Sequence, residues 1–424
     1  MIDAHVYTLY RIVSFYRGLR TTSASINTHP RASQVMNFQP RPHLPAAQRR
    51  LPFDCIALLL QGGGALGAYQ AGVYEALAEA GIHPDWVAGI SIGAINAAII
   101  AGNPPESRVD RLRDFWTQVT STAPWDWSGN PLLDRRNDNA RNVLNQMSAG
   151  LAAACGANGF FSARPLMPWL HSGGTTEATS FYDTSVLKST LERLVDFDRL
   201  NEGMTRFSAG AVNVRTGNFV YFDNSTHTIL PEHIMASGAL PPGFPAVEIE
   251  GEHYWDGGLV SNTPLQWVID WGAPQDMLAF QVDLWSAKGQ LPGNMAEVVT
   301  RQKEVQYSSR TRASTDQFKR VQRLRRALTA LLGRLPEELQ EHDDVKLLST
   351  AVSHNVYNIV HLIYRARNHE GHSKDYEFSR LSMQDHWRAG YHDALRTLRH
   401  PEVLTRPASA DGVFTFDLEN DGRE

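Results

Sequence analysis

Residues 53–101 constrain the fold more than any other part of the chain. Cys55–Leu60 is a continuous apolar run that ends in glycines, and Ala68–Ala80 then sets apolar side chains at helical spacing (Ala68, Ala71, Val73, Leu77). Gly81 stands where a helix-closing glycine belongs. Trp86–Ile92 reads as a second short buried strand that runs into a helix of small residues, Ala94–Ala101. Strands apolar on both faces and joined through helices pair in parallel and are covered on both sides. The expected fold class is α/β, with a mainly parallel central sheet between helices.

Further along, Phe207–Val214 and Phe219–Phe222 read as a hairpin around Thr216-Gly217, and Pro231–Ala239 as a helix. Ala246–Ile249 and His253–Trp255 read as strands around Glu250-Gly251, and Met277–Val282 as another buried strand. The sheet is expected to end there, because charged helical patterns take over beyond about residue 285. The expected organisation is a poorly ordered extension over 1–52, a catalytic domain over 53–285 and a helical C-terminal domain over 286–424. Within the second, residues 102–180 read as an aromatic-rich insertion carrying Trp116, Trp125, Trp127, Phe160, Phe161 and Trp169. These aromatics are either core or the wall of a lid or acyl pocket.

The net charge of −5 on 424 residues gives no reason to expect a nucleic-acid partner. Two cysteines, Cys55 and Cys155, fit a reducing compartment, so a cytoplasmic location is expected. No run approaches the roughly 18–20 apolar residues of a spanning helix, so any membrane contact is expected to be peripheral. Residues 1–52 hold seven arginines and one acid, Asp3, without an apolar core or cleavage site of the secretory kind; Met36 offers an alternative start. Oligomeric state is not legible.

Two glycine motifs carry the chemistry. Gly62-Gly63-Gly64-Ala65-Leu66-Gly67 satisfies the spacing of a dinucleotide fingerprint, but the second strand lacks the acidic end that would hold a ribose, so no cofactor is expected. That second strand instead ends in Gly89-Ile90-Ser91-Ile92-Gly93, the arrangement of a nucleophile elbow. Gly89 and Gly93 leave room for the sharp turn that lifts a serine hydroxyl above a sheet. Consecutive β-α units place their loops on one edge, which brings Gly62, Gly63 and Gly64 beside Ser91. Their N–H groups would converge where an ester oxygen gains charge. The base is either a histidine, with His253 the nearest candidate among 16, or Asp256 of Trp255-Asp256-Gly257-Gly258, whose glycines admit another backbone. An Asp-Gly turn is the structural alternative.

The glycine loop, the elbow and the distant Asp-Gly-Gly, in that order, resemble the patatin-like phospholipases. Ala236-Ser237-Gly238-Ala239-Leu240-Pro241-Pro242-Gly243-Phe244-Pro245 is also similar to a segment of that family. The resemblance spans residues 53–285 and implies a three-layer α/β/α fold and a lipid acyl hydrolase with a Ser-Asp dyad. It implies Ser91 as nucleophile, Asp256 as base, Gly62, Gly63 and Gly64 as oxyanion hole, and Gly89, Gly93, Gly257 and Gly258 as supports. Where the family usually has a cation, this chain has Leu66, which shifts the expectation toward neutral esters such as glycerides or hydroxyalkanoate oligomers. A non-catalytic lipid-binding module is the alternative from another class.

Two features remain. Thr311–Arg334 interleaves Arg312, Lys319, Arg320, Arg323, Arg325, Arg326 and Arg334 with apolar residues, which suits either an interfacial helix or a charged face packed on the catalytic domain. Glu341–Leu404 resembles an uncharacterised domain that accompanies some bacterial patatin-like proteins. Its histidines (His342, His354, His361, His369, His372) fit no tight ligand spacing, and no metal is expected.

Overall fold

The structure, a computed structural model, describes residues 51–121, 138–271, 275–308, 311–366, 370–407 and 412–417. The extension before residue 51, Trp125, Trp127, His369 and the side chain of Arg312 lie outside the described residues.

The main sheet has nine strands: β1 Cys55–Leu60, β2 Trp86–Ile90, β3 Arg206–Asn213, β4 Phe219–Asp223, β5 Val247–Ile249, β6 Glu252–Asp256, β7 Met277–Asp283, β8 Tyr357–Ile363 and β9 Val413–Phe416. Their order is β9-β8-β7-β1-β2-β3-β6-β5, with β4 also on β3. The first six are mutually parallel, while β4, β5 and β6 pair antiparallel at one end. In β1, Leu58 and Leu60 enter the core on one face, and Cys55, Ala57 and Leu59 enter the core on the other. Period-two alternation with both faces apolar therefore produces the three-layer α/β/α arrangement.

The expectation that the sheet ends at Val282 is corrected. β8 continues it beside β7, with Met277 opposite Tyr357, and β9 follows. The charged helices between them supplied the local signal, and two short strands were hidden among them. The C-terminal region is mostly helical, yet helix α7 (Arg380–Leu398) packs along helix α1 (Ala68–Glu79). That crossing is close: a Cβ on Gly72 would lie 1.9 Å from the Trp387 carbonyl oxygen, and one on Gly390 would lie 2.0 Å from that of Tyr69. Gly81, with φ +69°, ends α1 in a Schellman turn, Gly81 donating to Ala78 and Ile82 to Leu77.

The region read as an insertion divides in two. Arg108–Val119 is a core helix whose Leu112, Phe115, Trp116 and Val119 are buried. Asp138–Cys155 is a longer helix followed by a small three-stranded sheet (156–157, 161–163, 182–183) near the carboxyl edge of the main sheet. Among the described residues no helix is long and apolar enough to cross a membrane.

Candidate active site

Leu60, Ile90 and Asp283 end parallel neighbours in register, so the segments after them emerge on one edge of the sheet. Open α/β sheets form their crevice at this carboxyl edge. Ser91 follows Ile90 with φ 57° and ψ −126° and caps helix α2 (Ile92–Ala101). A non-glycine residue at such an angle is strained, and packing must hold it there. The elbow has no spare volume: a Cβ on Gly89 would sit 2.2 Å from the Gly93 carbonyl oxygen, and one on Gly93 2.2 Å from that of Leu60. The Ser91 N–H donates to Ser237 Oγ at 3.0 Å, and the Ser237 hydroxyl donates to the Gly210 carbonyl at 2.6 Å.

Asp256 reaches this point through strand register. β2 pairs with β3 from Arg206 to Gly210, and β4 occupies the opposite side of β3. β6 takes over where β2 stops, placing Asp256 opposite Ala211, one position past the Ile90–Gly210 pair. The carboxylate therefore lies against the elbow, beside the Ser91 hydroxyl, which lowers its pKa. Gly258 N–H donates to Asp256 Oδ1 at 2.7 Å, and Asp256 N–H donates to the Ala239 carbonyl at 3.0 Å. Gly257 is where another backbone approaches, since a Cβ there would meet the Gly210 carbonyl oxygen at 2.6 Å. Asp256 is 2% exposed, and that burial raises its pKa to about 7 against the opposing effect of the nearby Ser91 hydroxyl and the Gly258 N–H. His253 is exposed on β6, and no histidine is among the residues lining the cavity.

The glycine loop lies alongside. A Cβ on Gly62 would stand 3.0 Å from Ser91 Cβ. Gly62 N–H donates to Asn262 Oδ1 and its carbonyl accepts from Asn262 Nδ2, both at 3.1 Å, and from Trp285 Nε1 at 3.0 Å. Gln61 Oε1 accepts from the N–H groups of Leu284 and Trp285. The Gly62 N–H is thus engaged by Asn262. The N–H groups of Gly63 and Gly64 have no acceptor among the described residues. Gly64 has φ +55°, and a Cβ there would strike the Asp375 carbonyl oxygen at 2.1 Å; that oxygen accepts from Ala65 N–H at 2.8 Å. Leu66 is buried in the core and is not among the residues lining the cavity.

Ser91, Asp256 and the glycines occupy one end of a cavity of about 470 Å³, a size that suits small-molecule sites. Its other walls are aromatic. Phe160, Phe161, Tyr182, Phe244 and Phe378 line it and contact one another mostly edge to face at 4.9–6.0 Å. Of the aromatics singled out in the sequence, Phe160 and Phe161 are wall, Trp116 is core, and Trp169 is exposed. Asp256 and Asp375 are the charged residues of the lining, and Asp375 is paired with Lys303 Nζ at 2.8 Å. Asn262, Ser237, Trp285, Tyr307 and Asp375 were not recognised individually from sequence. Among the described residues no group of three His, Cys, Asp or Glu is placed to hold a metal ion.

Comparison with known proteins follows the same residues. A sequence model described as patatin-like phospholipase matches residues 58–269, half of the chain, and a second described as patatin phospholipase matches residues 305–410. A putative patatin-like phospholipase domain-containing protein of Caenorhabditis elegans, M110.7, is 41% identical over 69 residues, which is 16% of this chain and 6% of that protein. Lysophospholipase nte1 of Aspergillus terreus is 53% identical over 53 residues, 12% of this chain and 4% of that protein. The matched segments thus span only a small part of these relatives. The crystal structure of VipD from Legionella pneumophila aligns over 86% of this chain and 72% of its own, with TM-score 0.35 and 14% identity. The glycine loop, the elbow and the Asp-Gly-Gly turn all fall inside the matched half of the chain, and the protein belongs to the patatin-like phospholipase family.

Proposed function

We propose that the protein is a serine hydrolase of lipid acyl esters acting through a Ser91–Asp256 dyad. The observation that carries this reading is a buried carboxylate beside the Ser91 hydroxyl in an aromatic-walled cavity. Ser91 Oγ attacks the acyl carbonyl as its proton passes to Asp256. The carbonyl oxygen, now negative, lies toward the free N–H groups of Gly63 and Gly64, donors of a kind each worth roughly 10²–10³ in rate. Collapse of this intermediate breaks the ester bond, and the alcohol leaves with the proton from Asp256. Water, deprotonated by the same carboxylate, then attacks the acyl carbonyl, and Asp256 returns that proton to Ser91 Oγ as the acyl–Ser91 bond breaks and the acid departs. A carboxyl pKa raised to about 7 makes Asp256 a stronger base than an ordinary aspartate, while leaving it ionised above neutrality.

Neutral esters are the second reading, favoured by a lining without lysine or arginine. A cavity holding two carboxylates offers an anionic headgroup no direct counter-charge. Labelling by a fluorophosphonate probe, together with turnover of a p-nitrophenyl ester series, tests the proposal. Both should vanish in Ser91→Ala; an unlabelled, inactive unsubstituted protein points instead to a lipid-binding module. Parallel assays on phospholipid and monoacylglycerol separate the two substrate classes.

A further inference from the structure

We propose that the segment 142–182 docks the protein on a lipid surface of uncharged or zwitterionic headgroups, with the catalytic cavity opening at that contact. The inference rests on the lipid-acyl reading of the cavity. Three elements of this segment expose large apolar side chains: Val143 and Met147 on helix α4 (Asp138–Cys155), Leu166, Met167, Trp169 and Leu170 on the turn around residue 168, and Phe181. Trp169 is 71% exposed, Leu170 65% and Met147 62%. Soluble surfaces scatter such residues singly, whereas a cluster marks a site of contact.

The cluster is continuous with the cavity. On α4 exposed positions run from Val143 and Met147 through Gly150 to Ala153 in steps of four and three residues, and Ala153 lines the cavity. Phe181 contacts the Trp169 ring at 6.4 Å, and the next residue, Tyr182, lines the cavity and donates from its hydroxyl to the Ala153 carbonyl. Charge then selects the kind of surface. From Asn142 to Tyr182 the charged side chains are Arg164 and Glu177, which face each other at 3.8 Å. Within this segment the one arginine is thus paired with a glutamate, and the affinity of the segment comes from apolar burial and an interfacial tryptophan.

The basic helix α6 (Thr311–Leu332), the other candidate for this role, is placed elsewhere. Phe318 packs on Tyr357 with ring centres 5.0 Å apart, Gln322 Nε2 donates to the Asn355 carbonyl and Arg326 to that of His354. These residues open or precede β8, on the sheet edge opposite Ser91. A membrane held by that helix would leave the catalytic edge facing away.

The test uses Ser91→Ala protein, which leaves vesicle lipid intact, sedimented with phosphatidylcholine vesicles. Binding should be insensitive to added phosphatidylserine and to salt. The pair Trp169→Ser and Leu170→Ser should weaken it by at least about tenfold, as should Val143→Ser with Met147→Ser on a separate element. Arg320→Glu with Arg323→Glu should leave it unchanged. Absence of binding, a requirement for anionic lipid, loss of binding at high salt, or full binding by both serine pairs overturns the proposal. Turnover of a soluble short-chain ester by protein with Ser91 intact reads the catalytic proposal separately and should be unaffected by the serine pairs. A protein that binds vesicles but turns over no ester keeps this surface and loses the dyad reading.

Discussion

The two ends of the cavity are built by opposite means. The polar end is held by hydrogen bonds of fixed direction: Asn262 and Trp285 on Gly62, Ser237 on Ser91, and Gly258 on Asp256. The apolar end is held by ring contacts among side chains from three separate parts of the chain, 160–182, Phe244 and Phe378. Hydrogen bonds fail within a fraction of an ångström, whereas apolar contacts weaken gradually with volume. Losses at the polar end should therefore be steep and fall on kcat, and changes at the aromatic end should be graded and should read out as substrate preference.

The largest effect comes from the dyad. Ser91→Ala and Asp256→Asn are each expected to cut kcat/KM on a p-nitrophenyl ester by about 10⁴-fold or more, with circular dichroism unchanged. Survival of substantial turnover in Asp256→Asn would reopen the search for a base. Next come the clamps: Asn262→Ala and Ser237→Ala remove the hydrogen bonds that hold the loop and the elbow, and kcat should fall by roughly 10–10²-fold with KM little changed. A rise in KM with kcat unchanged would place these residues in binding instead.

The aromatic end should give smaller and more selective effects. Phe378→Leu enlarges the wall and should shift chain-length preference upward by about two carbons, altering relative kcat/KM a few-fold to tenfold while short esters react as before. A uniform loss across the series would place Phe378 in support of the glycine loop rather than in the wall. The smallest effect belongs to His253→Ala, on the exposed side of β6, which should leave kcat/KM within about twofold.

The pH dependence sharpens the same contrast. A base that must be ionised, with pKa raised to about 7, requires kcat/KM to rise as pH passes through neutrality. For stability the sign is opposite. The folded protein binds a proton at Asp256 more tightly than the unfolded chain does, so this group's contribution falls as pH rises from about 4 to about 7. Asp256→Asn should accordingly raise the Tm at pH 8 and leave it nearly unchanged near pH 4. Phe378→Leu should show no such pH dependence.

Residues 55–101 and the distant Asp256 differ in how plainly sequence announces them. The β-α-β-α unit was legible because its signals are local: an unbroken apolar run, helical spacing, and glycines at each turn. Short connections oblige both of its loops to share one sheet edge, which put Gly62–Gly64 beside Ser91 before any coordinates. Asp256 was reached through a resemblance, since nothing local separates a catalytic Asp-Gly-Gly from a turn. Asn262 offered no signal at all, being an ordinary polar residue whose role exists only once Gly62 lies within 3.1 Å. The strands Tyr357–Ile363 and Val413–Phe416 were missed because charged helices surround them and short apolar runs are ambiguous.

The sequence by itself determined the parallel sheet and the edge on which the elbow and the glycine loop meet, because each depends on residues a few positions apart. Only the tertiary structure decided which carboxylate faces Ser91, which glycine N–H groups stay free, and which rings close the cavity. Those outcomes depend on register between strands and contacts between segments far apart in the chain, and such pairings leave no period in the sequence.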